Sequence, residues 1–183
     1  MRIIAGKSRG TVLADVGAGD AEAHLRPTSD RVRESLFSML AHLGVIHDAR
    51  VLDLFAGTGA LGLEALSRGA REVVFMENGR VGQKLLAQNI KKLRVEHQTT
   101  VMRNDATQLG AWIAAPFDLV FLDPPYGKGM GQQALTAARA GGWLAKDALI
   151  VWEENAPMDA PQGFTREDRR KYGDTHVTFL KAD

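Results

Sequence analysis

Apolar positions recur with two rhythms along this chain, and the switch between them lays out its elements. Thr28-Ser29-Asp30 offers side-chain oxygens for a helix N-cap, and Val32, Leu36, Phe37, Leu40 and Leu43 then return at helical spacing until Gly44. This predicts an amphipathic helix ahead of the main body. From Arg50 onward, compact apolar runs alternate with helical periodicities. Residues 50–55 read as a strand and Ala60–Ser67 as a helix stopped by Gly69. Glu72–Met76 follows as a strand, and Val81, Leu85, Leu86, Ile90 and Leu93 mark the next helix. Thr99–Met102, Phe117–Leu122 and residues 148–152 continue the strand series, with a helix over 132–140. Strands alternating with helices imply right-handed crossovers and a mostly parallel sheet covered on both faces, an α/β fold of Rossmann-like type.

The last segment changes rhythm. Phe164-Thr165 and residues 176–180 look like two strands joined near Gly173-Asp174 with no helix between them. That predicts an antiparallel strand at the end of the sheet. There is no internal repeat, and residues 14–23, rich in glycine and alanine, read as a loose loop. The chain thus divides into an N-terminal extension over 1–45 and a main domain over 46–183, expected to form one globular unit.

Composition narrows the chemistry. With 183 residues the chain suits one domain, and with no cysteine it can form no disulfide, no thiolate metal site and no cysteine-nucleophile intermediate. Pyrimidine C5 methylation through a covalent cysteine adduct is therefore excluded, and no metal site is expected. The 23 basic and 22 acidic residues nearly cancel, to a net charge of +1. Their distribution says more: Arg2, Lys7 and Arg9; Arg26, Arg31 and Arg33; Lys91, Lys92 and Arg94; and Arg166, Arg169, Arg170 and Lys171 form clusters. Each alone is a solvated surface, whereas together they point to a face that tracks phosphates. The first seven residues turn basic before any long apolar run develops, so a cytoplasmic protein without a membrane segment is expected.

Candidate chemistry collects at the carboxyl ends of the strands, where open α/β sheets bind ligands. The first strand ends in Asp53-Leu54-Phe55-Ala56-Gly57-Thr58-Gly59, a glycine turn that opens a helix and lets a ligand approach backbone amides. Alone, such a turn is equally an ordinary tight turn. Three carboxylates sharpen the reading. Asp53 precedes the first glycine, where it would orient an ammonium and repel a pyrophosphate. Glu77 closes the second strand, where a carboxylate accepts from both hydroxyls of a ribose. Asp105 follows the third, placed to accept from an adenine amino group while neighbouring amides meet the ring. Each is singly explicable as a loop residue or a helix cap. Together they describe S-adenosylmethionine better than a dinucleotide.

The fourth strand ends in Asp123-Pro124-Pro125-Tyr126-Gly127. An exocyclic base amine is a poor nucleophile because its lone pair is delocalised into the ring, so a catalyst must hold acceptors against its N–H groups. The Asp123 carboxylate and the Pro124 carbonyl supply two. The prolines fix the backbone and add no competing donor, and Tyr126 offers a flat face for a flipped base. In an arbitrary protein the same residues would be an Asx-Pro turn with a buried tyrosine. After a strand in a sheet that already carries the glycine turn, the catalytic reading is preferred.

The glycine turn, Glu77, Asp105 and Asp123-Pro124-Pro125-Tyr126 resemble the amino-methylating class I methyltransferases from about Arg50 to the C-terminus. Two further blocks, Arg2-Ile3-Ile4-Ala5-Gly6-Lys7-Ser8-Arg9-Gly10 and Leu25-Arg26-Pro27-Thr28-Ser29-Asp30-Arg31-Val32-Arg33-Glu34-Ser35-Leu36-Phe37, resemble the RsmD family of bacterial 16S ribosomal RNA guanine-N2 methyltransferases. The resemblance implies a seven-stranded sheet with a reversed last strand, S-adenosylmethionine as cofactor, and guanine in small-subunit ribosomal RNA as substrate, met by a monomer within an assembling particle. It implies that Asp53, Phe55, Gly57, Thr58, Gly59, Glu77, Asn78, Asp105 and Ala106 line the cofactor, that Asp123 to Tyr126 meet the target amine, and that Arg9, Arg26, Thr28, Arg31 and Arg33 face cofactor or RNA. Relatives often carry phenylalanine at the position of Tyr126, which preserves stacking. Two rivals stand beside this reading: a DNA adenine-N6 or cytosine-N4 methyltransferase, for which 183 residues leave little chain to read a sequence in the major groove, and a non-catalytic RNA-binding assembly factor of the same fold.

Overall fold

A computed structural model describes residues 1–15 and 29–183. Helix α1 (Asp30–His42) leads into β1 (Arg50–Leu54), α2 (Ala60–Ser67), β2 (Glu72–Met76), α3 (Arg80–Leu93), β3 (Thr99–Met102), β4 (Phe117–Leu122), α4 (Met130–Ala140), β5 (Leu144–Glu154), β6 (Phe164–Tyr172) and β7 (Thr175–Ala182). The strands form one seven-stranded sheet in the order β3-β2-β1-β4-β5-β7-β6. Pairing from β3 to β5 is parallel, and β7 is antiparallel to both β5 and β6. The reversed strand expected from the change of rhythm is therefore present, but it lies inside the sheet and leaves β6 at the edge. β6 is also longer than the apolar pair Phe164-Thr165 suggested. It runs on through Arg166 to Lys171, whose mostly exposed side chains hide the strand from any hydrophobic pattern.

Two apolar layers cover the sheet. On one face Phe37, Leu40, Leu63, Leu66, Leu86 and Ile90 pack against Val51, Phe75 and Phe121. On the other, Leu135, Ala138, Trp143 and Trp152 pack against Leu52, Val120 and Ile150. Ser29 caps α1 by accepting the Val32 amide at 3.3 Å, one of the N-cap oxygens anticipated from sequence.

The N-terminal segment folds into a short hairpin, with Arg2 opposite Val12, and buries Ile3 and Leu13 in the α2–α3 layer. Its polar contacts fix it from both ends. The buried Glu64 carboxylate accepts the Ile4 and Ala5 amides at 2.7 and 3.1 Å and also the Arg68 Nε at 2.7 Å. Gly6 lies so close to α2 that a Cβ there would stand 1.8 Å from the Ser67 carbonyl oxygen. At the other end, the Asn89 carboxamide accepts the Ala14 amide at 2.7 Å and donates to the carbonyls of Ala14 and Thr58 at 3.0 and 2.9 Å. One buried amide thus ties the extension to the glycine turn.

Candidate active site

The chain leaves β1 through a run of left-handed residues, Phe55 (φ 62°), Gly57 (φ 56°) and Gly59 (φ 79°). Gly59 has no alternative: besides its φ, a Cβ there would stand 2.4 Å from Leu86 Cδ1. Asp53, Glu77 and Asp105 all lie at this carboxyl edge, as the strand ends required. In the structure each also has a partner. Asp53 is buried, and its Oδ2 accepts the Gly62 amide from the first turn of α2 at 2.9 Å. Burial raises its carboxyl from 3.8 to about 7, the Gly62 hydrogen bond opposes that, and the Glu77 charge adds to it. A buried acid held this high suits a cationic ligand group, whose charge would favour the ionised form.

Glu77 Oε2 accepts the Gly57 amide at 2.7 Å and Oε1 the Gly79 amide at 2.6 Å. The residue expected to meet a ribose therefore also braces the glycine turn of the next strand. Each carboxylate oxygen has two acceptor sites, so these bonds leave capacity for ligand hydroxyls. Gly82 makes room for it, since a Cβ there would lie 2.7 Å from Glu77 Cδ. Asn78 is exposed beside it, and Thr58 is buried in the turn. Asp105 Oδ1 accepts the Thr107 amide at 2.8 Å and its hydroxyl at 2.7 Å, capping a short 3-10 helix, Ala106–Gln108, in which Ala106 is buried. The cap reading of Asp105 is thus realised on one oxygen.

The target loop follows β4. Asp123 sits one residue beyond the Leu54–Leu122 pair and its amide approaches the Leu54 carbonyl at 3.5 Å, which brings it to the neighbourhood of Asp53. Its carboxyl is held well above the ordinary range, chiefly by burial and then by the charges of Glu153, Asp53 and Glu154. The Tyr126 hydroxyl donates to Glu153 Oε1 at 3.2 Å, and burial with the nearby Asp123 and Glu153 charges pushes its own ionisation upward. The Gly127 amide donates to Glu154 Oε2 at 3.3 Å, and the loop then turns through Gly127 and Gly129 into α4. Glu153 and Glu154, both buried, were not singled out from the sequence. A signal existed: they close the apolar run of β5 at the carboxyl edge, as Glu77 closes β2. Among the described residues no three acids or imidazoles come together in a way that could hold a metal ion.

Of the residues expected to face RNA, Arg31 is exposed in the first turn of α1. From there α1 runs through Leu43 to the amino end of β1. Arg9 is exposed in the turn beside Ser67, the far end of α2 from the glycine turn, and is not brought to the same site. Arg33 requires a correction. It is fully buried, with Nη2 donating to the Arg2 carbonyl at 2.5 Å and to Asp30 Oδ1 at 2.6 Å, so no phosphate can reach it as folded. Position 33 shares the inward face of α1 with Leu36 and Phe37, and the helical pattern already implied that. Arg26 and Thr28 lie outside the described residues.

The family model described as conserved hypothetical protein 95 matches residues 1–181. Ribosomal RNA small subunit methyltransferase D of Escherichia coli is 40% identical over 161 residues, 88% of this chain and 78% of that protein. Its namesake in Haemophilus influenzae is 36% identical over 172 residues, covering 90% and 85%. The solved structure of yhhF from Escherichia coli superposes with a TM-score of 0.83, at 36% identity over 100% of this chain and 98% of that one. With this sheet order, a glycine turn after β1 and an Asp-Pro-Pro-Tyr loop after β4, the chain belongs to the RsmD-like ribosomal RNA methyltransferase family, on the class I S-adenosylmethionine-dependent methyltransferase fold.

Proposed function

We propose that the protein transfers a methyl group from S-adenosylmethionine to the exocyclic N2 of a guanine in small-subunit ribosomal RNA, acting in the cytoplasm as a monomer on an assembling particle. The observation that carries the chemistry is the placement of Asp123 one strand from Asp53, with Tyr126 held nearby by its hydrogen bond to Glu153. The names of the Escherichia coli and Haemophilus influenzae relatives support ribosomal RNA as the substrate class.

The residues present fit the cofactor. Its ammonium and sulfonium are cations, and the edge they would meet carries Asp53, Glu77 and Asp123, the Asp53 carboxyl raised by burial and the Glu77 charge and the Asp123 carboxyl by burial and the charges of Glu153, Asp53 and Glu154. Asp53 would take the ammonium, Glu77 the ribose and Asp105 the adenine amine. Bound there, S-adenosylmethionine supplies an electrophilic methyl group. Asp123 and the Pro124 carbonyl accept from the two N–H bonds of the amine, which turns its lone pair toward the methyl carbon. The nitrogen that took up the methyl group would lose its proton to Asp123 or to water. The burial that raises the Asp123 carboxyl makes its ionised form a stronger base. Arg31, exposed in the first turn of α1, and Arg9, exposed beside the far end of α2, are available for phosphates.

The test is to incubate the protein and labelled cofactor separately with assembled small subunits, bare ribosomal RNA and duplex DNA, then digest and identify the nucleoside. N2-methylguanosine in small-subunit RNA is expected. Label found in DNA as N6-methyladenine or N4-methylcytosine, with none in guanine from either RNA sample, would replace this reading by the DNA one. Cofactor binding without transfer to any sample would favour a non-catalytic factor.

A further inference from the structure

Two consecutive glutamates end β5, and alternation along a strand should send their side chains to opposite faces. Both nevertheless reach the target loop, because that loop crosses the carboxyl edge of the sheet. Glu153 Oε1 accepts the Tyr126 hydroxyl at 3.2 Å, while Glu154 Oε2 accepts the amides of Gly127 and Asn155 at 3.3 and 3.2 Å. The strand register explains the first contact. Leu122 pairs with Trp152 in the parallel β4–β5 ladder, so the next residue on each strand brings Asp123 beside Glu153. Both glutamates are buried, at 5% and 3% exposure.

We propose that Glu153 is a positioning residue for methyl transfer: it fixes the Tyr126 ring against the target base through the phenol hydroxyl, and it sets the charge that its neighbour Asp123 presents to the amine. This rests on reading the loop after β4 as the site that meets the target. The charged groups that act on Asp123 are Glu153 and Glu154 from β5 and Asp53 from β1, all acidic. From β7, Val177 pairs with Glu153 and His176 with Glu154, and Thr175 bonds the Tyr126 side chain. Loss of the Glu153 charge therefore makes Asp123 easier to ionise. Loss of its acceptor lets the Tyr126 ring swing.

Glu153→Gln keeps the volume and an acceptor oxygen but removes the charge, and Tyr126→Phe removes the hydroxyl alone. The first measurement needs no substrate: the Asp123 carboxyl carbon is titrated by NMR in the parent and in Glu153→Gln, with Asp123→Asn for assignment. The expected result is a lower midpoint in the variant. An unmoved midpoint overturns the proposal, whatever the protein methylates. The second is the pH profile of kcat on the accepted RNA. Because the ionised carboxylate accepts from the amine, the acid limb should move to lower pH in Glu153→Gln. Above that limb kcat of Tyr126→Phe should fall about ten- to hundredfold with little change in KM, as expected for a misplaced reacting group, and Glu153→Gln, which keeps an acceptor, should fall less. The double variant with Tyr126→Phe should be no worse than the more damaged single one. Full additivity, or a fall confined to melting temperature, would overturn the positioning role. A shifted carbon titration without methylation of any nucleic acid would instead overturn the substrate reading alone.

Discussion

The Glu77 carboxylate accepts the Gly57 amide at 2.7 Å, so the acid that ends one strand holds the ligand-binding turn that follows its neighbour. In the proposed reading, cofactor recognition and loop shape therefore share one side chain. Glu77→Ala should weaken S-adenosylmethionine binding by about 1.5 to 3 kcal/mol, the range for hydrogen bonds to a charged group. Glu77→Gln should recover part of that loss. Calorimetric titration decides the matter, and an unchanged dissociation constant in Glu77→Ala would move the ribose site elsewhere.

Asp123 differs from Glu77 in being proposed to meet the target amine rather than the cofactor. Asp123→Ala should abolish turnover while leaving cofactor affinity nearly intact. Asp123→Asn, which keeps an acceptor oxygen, should retain more activity than the alanine variant. Methylation by Asp123→Ala within about tenfold of the parent, roughly 1.4 kcal/mol of barrier, would remove Asp123 from the reaction.

Asp53 links the site to stability. Its carboxyl is raised from 3.8 to about 7 in the folded chain, so the folded state holds a proton that the unfolded state has lost. The associated stability is complete below the unfolded value and disappears as pH rises through the folded one. The ligand-free protein should lose melting temperature between about pH 4 and pH 7, and Asp53→Asn should lose less over the same interval. Parallel melting curves for the two proteins across that range would contradict the assignment.

The N-terminal hairpin depends on one buried acid. Glu64 joins the Ile4 and Ala5 amides to the Arg68 guanidinium, and removing it strands all three donors. Glu64→Ala should cost about 3 to 5 kcal/mol in denaturant unfolding and expose residues 1–15 to proteolysis. A loss below about 1 kcal/mol would show that the apolar contacts of Ile3 and Leu13 suffice.

Arg31 and Arg33 stand two positions apart on α1 and should behave differently. Arg31→Ala should leave melting unchanged and flatten the dependence of log RNA affinity on log salt by about one unit. Arg33→Ala should destabilise the fold, because its guanidinium joins α1 to the Arg2 carbonyl. Equal salt slopes for the parent and Arg31→Ala would place the phosphate contacts on other residues.

Much of the site was legible because its signals are local in sequence. Gly57 and Gly59 need left-handed backbone, Glu77 and Asp105 follow apolar runs at fixed offsets, and Asp123-Pro124-Pro125-Tyr126 is contiguous. Each can be placed at a strand end without knowing which strands are neighbours. Glu153 was missed because its importance lies in being beside Asp123, thirty positions away, and only the β4–β5 register creates that proximity. Arg33 was misjudged because charge was weighed above its place on the inward face of α1, where the Arg2 carbonyl and Asp30 satisfy part of its guanidinium.

The sequence by itself determined the alternation of strands and helices, the turns that favour glycine and the contiguous Asp-Pro-Pro-Tyr loop after β4, because periodicity, left-handed backbone and proline act within a few residues. Tertiary structure alone decided that β7 inserts between β5 and β6, that Glu64 and Asn89 clasp the N-terminal hairpin, and that four acids, Asp53, Asp123, Glu153 and Glu154, converge at one edge. Those outcomes depend on which distant segments pair and in what register. Hydrogen-bond partners and mutual repulsion between buried charges exist only after that pairing is made.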